Sequence, residues 1–339
     1  MPDNPGMELE FLGTSSGTPT KTRNVAGLAL RTAGGWALVD CGEGTQHRIL
    51  FTSLSPRDLR AIFITHLHGD HCYGLPGLLA SAGLLNRTEP LAIVGPAPLE
   101  RYVRGVMETT ELRLPYPVTF VDVAALPQAD VLPDLAVTAH ALSHRVPSYA
   151  YAFTEKSVER RLDTARLTAA GVPRGPLWGQ LLNGGAVTLP DGRVLRPDDV
   201  LLPPRRPRKV IVAGDNDTPA LLVEAARDAH VLVHEATYTD AVLAKVGPGP
   251  QHSSARMVAE AARDAGLPNL VLTHFSPRYQ DKGAGNGEKG GGPLTLGDVE
   301  AEARAAYRGN LFLASDFARY ALDRDGRLAR MGDAPPAQA

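Results

Sequence analysis

Ala61-Ile62-Phe63-Ile64-Thr65-His66-Leu67-His68-Gly69-Asp70-His71 is an apolar run that breaks off into three histidines and an aspartate. Ala61 to Ile64 reads as a buried strand, and the polar residues follow it into a short, glycine-containing turn before Tyr73 opens the next apolar segment. Such a layout puts a site at the carboxyl end of a strand. Imidazole and carboxylate are zinc-compatible, and His66 and His68, two apart, can turn toward one metal while Asp70 and His71 turn toward a second. Two divalent ions about 3.5 to 4 Å apart would orient and deprotonate a water and neutralise charge building up on a phosphoryl oxygen. A single-metal site is the serious rival. A loop of surface histidines is the weaker one, because four potential ligands within six residues straight after a hydrophobic strand rarely arise by composition.

Length and composition bound the rest. A chain of 339 residues can hold one large or two ordinary domains, and 43% apolar with 21% charged residues describes a globular protein. The net charge of -2 and pI near 6.6 argue against a broadly basic nucleic-acid binder, so charge directed at RNA must be local or supplied by metals. Cys41 and Cys72 are the two cysteines, and neither has a paired-ligand spacing. Their number excludes a disulfide scaffold and suits a reducing compartment. Cys72 directly follows His71, so it is read as either a neighbour of a ligand or an inert thiol. The start, Met1-Pro2-Asp3-Asn4-Pro5-Gly6, has neither a basic end nor an apolar core, and no apolar run nears the ~18 residues of a membrane span. The expectation is a cytoplasmic protein without a membrane segment.

The strand-then-ligand arrangement recurs. Val210 to Ala213 leads into Gly214-Asp215-Asn216-Asp217-Thr218, Val231 to Val233 into His234-Glu235-Ala236-Thr237, and Leu270 to Thr273 into His274-Phe275-Ser276-Pro277-Arg278. Leu135 to Ser143 alternates, so His140 and His144 share one direction if the strand is regular; His140 alone is better read as a structural histidine. Between these come helical stretches: Thr45 to Leu54, Leu75 to Leu85, Pro98 to Thr109, Ala220 to Ala229, Ala255 to Ala265 and Leu294 to Arg308. The alternation is that of a layered α/β protein. His252, on its own, is an ordinary polar residue before a helix.

Residues 155–193 change character. Six basic residues stand against four acidic ones, and Leu162 to Pro173 reads as a short helix stopped by glycine and proline. Arg205, Arg206, Arg208 and Lys209 make a denser basic run just before a strand. Residues 281–292, with six glycines, are expected to be a mobile loop, and residues 330–339 a disordered tail.

His66-Leu67-His68-Gly69-Asp70-His71 resembles the metal-binding signature of the metallo-β-lactamase superfamily. Phe11 to Thr20, Arg23-Asn24, Asp40-Cys41-Gly42-Glu43-Gly44-Thr45-Gln46 and Leu54-Ser55-Pro56-Arg57 resemble its ribonuclease Z family, and the similarity runs from about residue 8 to 318. The resemblance implies a four-layer αβ/βα sandwich over 7–320, with 155–193 inserted as an RNA-binding arm whose Gly175-Pro176 matches the family's turn. It implies two zinc ions per subunit, with manganese as the alternative: His66, His68 and His144 for one, Asp70, His71 and His274 for the other, and Asp215 between. The family's usual form is a tight Gly-Asp-Thr, and here two more residues precede Thr218, which makes Asp217 a rival to Asp215. Asp40 takes a role behind the metal histidines, Asp70, Glu235 and His252 catalytic roles, and Ser276 and Arg278 phosphate contacts. The implied activity is cleavage of precursor tRNA after the discriminator nucleotide by a homodimer, leaving a 3′-hydroxyl on the tRNA and a 5′-phosphate on the trailer. The alternatives are a small-molecule phosphodiesterase, arylsulfatase-like enzyme or lactonase of the superfamily, an exonuclease, or a non-catalytic RNA binder.

Overall fold

A computed structural model describes residues 6–281 and 292–332. It divides into two units, one built from Met1–Thr154 and Arg208–Ala339, the other from Glu155–Pro207. The strands in chain order are β1 (Met7–Gly13), β2 (Gly27–Thr32), β3 (Gly35–Val39), β4 (Leu59–Phe63), β5 (Leu91–Gly95), β6 (Val118–Asp122), β7 (Leu135–Leu142) and β8 (Ser148–Glu155). They continue as β9 (Val187–Thr188), β10 (Val194–Leu195), β11 (Lys209–Ala213), β12 (Val231–Glu235), β13 (Asn269–Thr273), β14 (Asn310–Leu313), β15 (Arg319–Leu322) and β16 (Leu328–Arg330).

In the larger unit one sheet runs β16-β15-β1-β2-β3-β4-β5-β6 and the other β14-β13-β12-β11-β8-β7. The motif strand β4 lies parallel between β3 and β5, and β11, β12, β13 and β14 are parallel to one another. Parallel strands are covered on both faces, which is why these runs read as continuously apolar rather than alternating. Their period of two still decides who packs where. Ala61 and Phe63 of β4 enter the core between the sheets, while Ile62 and Ile64 enter the core beneath the helices Leu75–Leu84 and Pro98–Thr109. In β11, Val210 and Val212 face the intersheet core and Ile211 the helix Ala255–Asp264 side. Phe63 binds the two sheets directly, its ring 5.2 Å from that of Tyr151 and 5.0 Å from that of Phe153 on β8. Truncating such a ring to alanine costs roughly 3–5 kcal/mol. The result is the four-layer αβ/βα sandwich, and the ligand-bearing strand ends meet between its sheets.

Several elements differ from the sequence expectation. The helix expected over Thr45 to Leu54 ends at Ile49. Thr52 Oγ1 donates to the Ile49 carbonyl and accepts from Leu54 N, so a side chain substitutes for the helical bonding. Ala220 to Ala229 is a 3-10 turn, Pro219–Leu222, followed by the single helical turn Val223–Ala226. Leu296–Ala306 falls short of Arg308 at its far end. Strands β15 and β16 carry too short an apolar pattern to be read, and in β6 threonine and aspartate interrupt it; β15 pairs with β1 and carries the sheet past residue 320. Arg330 closes β16, and Met331 N donates to Arg319 O, whereas 333–339 lie outside the described residues. The glycine-rich stretch 281–292 also lies outside them, apart from its two end residues.

The unit Glu155–Pro207 has its own small core of Leu167, Leu181, Val187, Leu189 and Val200. Helix Thr164–Ala169 is capped by the Asp163 carboxylate, which accepts from Arg166 N. Pro176 starts helix Pro176–Leu182, where its missing N–H costs nothing. Strands β9 and β10 form a two-residue hairpin ladder. Arg193 pairs with Asp191, Arg205 with Glu155, and the Arg174 guanidinium lies 5.5 Å from the Trp178 ring centre.

Candidate metal centre

Thr65 N and Oγ1 both donate to the carboxylate of Asp40, which holds the chain at the end of β4 as it turns toward the cluster. Asp40 itself has φ 59, a left-handed conformation uncommon outside glycine, and is almost fully buried. Gly214 is required beside it: a Cβ there would come within 2.6 Å of the Thr65 side chain. The close passage of these two strand ends brings Asp215 to the histidines of the first motif.

Three groups of ligand atoms, each within 4.8 Å, could hold cations: His66, His68, His144 and Asp215; Asp70, His71 and His274; and Asp215, His252 and His274. His68 Nδ1 faces His144 Nε2 at 3.1 Å, and His71 Nε2 faces His274 Nε2 at 3.1 Å. Asp215 spans both sets, with Oδ2 at 3.5 Å from His66 Nε2 and Oδ1 at 3.5 Å from His71 Nε2. Asp70 Oδ2 lies 3.3 Å from His274 Nε2 and accepts from Gly17 N at 2.7 Å; Gly17 has φ 72.

The rings are held from behind. His71 Nδ1 is 2.7 Å from Asp40 Oδ2, His144 Nδ1 is 2.8 Å from the Gln251 carbonyl, and His66 Nδ1 is 3.0 Å from Thr65 Oγ1. Each oxygen favours the tautomer whose Nε2 lone pair points inward. His66 Nε2 is buried without a hydrogen-bond partner. Burial pushes the His66 imidazole well below its ordinary pKa, so its ring stays neutral and its lone pair open. Burial alone would raise Asp215 and Asp70, but the surrounding histidines outweigh it and keep both carboxyls ionised. The orphaned His66 nitrogen, and imidazole nitrogens crowded against one another and against ionised carboxylates, form the donor set of divalent cations of the zinc class, and the residues fit a pair of them.

Beside this lies a second device. His252 Nδ1 is 3.0 Å from Glu235 Oε1, which also accepts from Asn216 N and Ser253 N. Burial lowers the His252 pKa, but Glu235 and then Asp215 outweigh it and raise it to about 9. Burial acts to raise Glu235, and His252 holds it below its usual value. The pair sets an imidazole of raised pKa on a buried carboxylate beside the ligand groups, an arrangement that can hold and give up a proton there.

All seven residues expected as ligands meet here, and His252 and Glu235 stand against them. Asp217 does not: its N–H donates to Ser143 O and its carboxylate accepts from Thr218 Oγ1. The two additional residues are absorbed by Asn216, whose Oδ1 accepts from Ser143 N and Thr218 N. His140 stays outside, because β7 ends at Leu142 and the alternation does not carry on to His144. His234 is fully buried and faces Asn216 Nδ2 at 3.1 Å. Ser276 is buried, its hydroxyl accepting from Arg278, whose exposed guanidinium reaches over the Tyr238 ring. Gly175 and Pro176 belong to the unit Glu155–Pro207. Both cysteines are buried and free. Sequence reading missed Thr65, Thr237, Asn216, Gln251 and Gly17; the hydroxyls and backbone groups that orient ligands leave no periodic signal.

Residues 23–234 match the metallo-beta-lactamase superfamily. The ribonuclease Z of Marinobacter nauticus is 52% identical over 327 residues, covering 96% of this chain and 99% of its own. That of Brevibacillus brevis is 43% identical over 331 residues, covering 95% and 99%. Among solved structures, human tRNase Z, short form, shares 26% identity with a TM-score of 0.61 over 92% of this chain and 98% of its own. The metallo-beta-lactamase fold protein YhfI of Bacillus subtilis, 17% identical, has the same fold at a TM-score of 0.62 over 93% and 98%.

Proposed function

The chain belongs to the ribonuclease Z family of the metallo-β-lactamase superfamily, and from that membership we propose how its residues act. It is a metal-dependent endoribonuclease of tRNA 3′ processing. The reading that fits the site is hydrolysis after the discriminator nucleotide, leaving a 3′-hydroxyl on the tRNA and a 5′-phosphate on the trailer. The observation that carries it is the pairing of a seven-residue donor set, buried or half-buried, with the His252–Glu235 proton donor.

His66, His68 and His144 would hold one zinc, Asp70, His71 and His274 the other, with Asp215 reaching both. Bound cations of this class supply Lewis acidity and an acidified water. The chain does the rest. Asp70 and Asp215, kept ionised by their histidines, accept hydrogen bonds from the attacking water and orient it. His252, protonated through Glu235, donates its proton to the ribose 3′ oxygen as that bond breaks. Arg278, exposed and steadied by Ser276, binds a phosphate beside the scissile bond.

The unit Glu155–Pro207 contacts the tRNA body. Its nine basic residues against six acidic ones support this within a chain of net charge -2. The chain works as a homodimer in the cytoplasm, one subunit's arm serving its partner's site. Among the described residues no helix is long and apolar enough to cross a membrane.

The test is cleavage of an end-labelled precursor tRNA with a 3′ trailer, run beside bis-p-nitrophenyl phosphate, with and without chelator. Removing residues from the arm would break its Leu167–Leu181 core, so its charge is changed instead, by Arg160→Glu, Arg161→Glu and Arg174→Glu together. A single chelator-sensitive cut at the discriminator, weakened by the charge changes while the small diester is hydrolysed as before, supports the reading. Hydrolysis of the small diester alone overturns it in favour of a small-molecule hydrolase.

A further inference from the structure

Thr237 Oγ1 occupies a crowded position. It lies 2.5 Å from Glu235 Oε2, 3.1 Å from His274 Nδ1, 3.0 Å from the His274 carbonyl and 3.4 Å from His252 Nδ1. A hydroxyl has one proton and two lone pairs, so only one of the oxygens can receive it. Glu235 is buried and ionised; aiming the proton at the His274 carbonyl would leave a carboxylate oxygen facing a bare hydroxyl oxygen at 2.5 Å. The proton therefore goes to Glu235, whose Oε2 also accepts from Thr237 N. A lone pair of the hydroxyl is left toward His274, and only a proton on Nδ1 makes that contact attractive.

We propose that Thr237 is a positioning residue for the second cation: its hydroxyl, donating to Glu235, accepts from His274 Nδ1 and presents Nε2 to the metal. This rests on the two-metal reading of the site. Asp215 Oδ1 is the other acceptor near that nitrogen, at 3.4 Å, but on the two-metal reading its carboxylate would be taken up in holding the cations. Thr237 also steadies the backbone. His274 has φ 57, and Thr237 brackets it, its carbonyl accepting from Ser276 N. A residue in this region persists where its surroundings fix it. The same connection occurs across the site: Thr65 Oγ1 donates to Asp40 Oδ2 and lies 3.0 Å from His66 Nδ1. Each set of ligands thus contains a histidine tied through a threonine hydroxyl to a buried carboxylate.

The experiment is zinc titration of wild type, Thr237→Val and Thr237→Ser against a competing chelator, reading stoichiometry and the two affinities, with the thermal midpoint as the check on folding. The expected result is two zinc ions in wild type and Thr237→Ser. In Thr237→Val one site is unchanged, and the other is weakened about 10–100-fold, the range for ligand-orienting partners. Wild-type affinity at both sites in Thr237→Val overturns the inference. One zinc per wild-type chain overturns the two-metal reading and the inference with it. Should Thr237→Val not fold, the imidazole 15N shifts of His274 in zinc-loaded wild type decide: a proton on Nδ1 supports the inference, and one on Nε2 overturns it.

Discussion

Asp40 Oδ2 stands 2.7 Å from His71 Nδ1 and simultaneously accepts the Thr65 hydroxyl at 2.9 Å, so one buried carboxylate aims ligands of both cation groups. Asp40→Ala would leave His71 Nδ1, Thr65 N and Thr65 Oγ1 without their acceptor. Unsatisfied buried groups cost about 1–3 kcal/mol each, and loss of an orienting partner weakens metal binding about 10–100-fold. Urea unfolding and zinc titration of Asp40→Ala should show both losses. Wild-type zinc affinity would mean that the packing of His71 alone fixes its ring.

Glu235 and His252 set a pH dependence whose sign follows from their contact. Donation by His252 requires its proton, so the rate falls as pH rises through about 9. Glu235→Gln removes the charge that most opposes burial, and the alkaline limb should move toward lower pH by roughly a unit or more. The effect should be large for precursor tRNA and small for bis-p-nitrophenyl phosphate, whose leaving group departs without a proton. For the fold, a raised pKa contributes stability present below the ordinary histidine value and lost as pH rises through about 9. Equal shifts with both substrates would count against His252 as the donor.

The sequence made the metal residues readable because each follows an apolar strand, and strands buried on both faces are the clearest pattern a chain of this class carries. Phe63, Val212 and Leu272 announce the ends at which His66, Asp215 and His274 stand. Asp215 is the better choice over Asp217 on sequence because it stands nearer the strand end, and the tie of Asn216 to Ser143 and Thr218 is what keeps Asp217 out of the cluster. Thr65, Thr237 and Gln251 act through one hydroxyl or carbonyl, a matter of direction that residue type and spacing do not encode. The short strands β15 and β16 escaped because three or four residues are too few to show a period.

Burial sets the behaviour of the two cysteines. It pushes the Cys72 thiol up to about 12, and Cys41 is raised further by its complete burial. The thiolate is the nucleophile, so at mildly alkaline pH both should resist iodoacetamide in the native protein and react in urea. Mass spectrometry after timed alkylation reads this directly. Rapid native modification of Cys72, next to His71, would show that the loop opens to solvent.

Asp316 offers a test at a distance from the ligands. Its Oδ1 accepts from Thr14 Oγ1 at 2.8 Å, and its Oδ2 from Asn24 N at 2.7 Å and Arg48 Nη2 at 2.6 Å. These contacts hold both ends of the loop between β1 and β2, and that loop delivers Gly17 N to Asp70 Oδ2. Burial raises the Asp316 carboxyl, while Asn24, Thr14 and Arg48 partly compensate. Removing one partner of a buried pair costs about 3–5 kcal/mol, and Asp316→Ala should lose stability on that scale. Arg48 rests against the Phe317 ring at 3.9 Å and keeps that contact in the variant. Freed at both ends, the loop would no longer hold the Gly17 amide on Asp70, and kcat should fall more than zinc stoichiometry. An Asp316→Ala protein that is less stable but cleaves with wild-type kcat would show that the Gly17 contact does not orient Asp70.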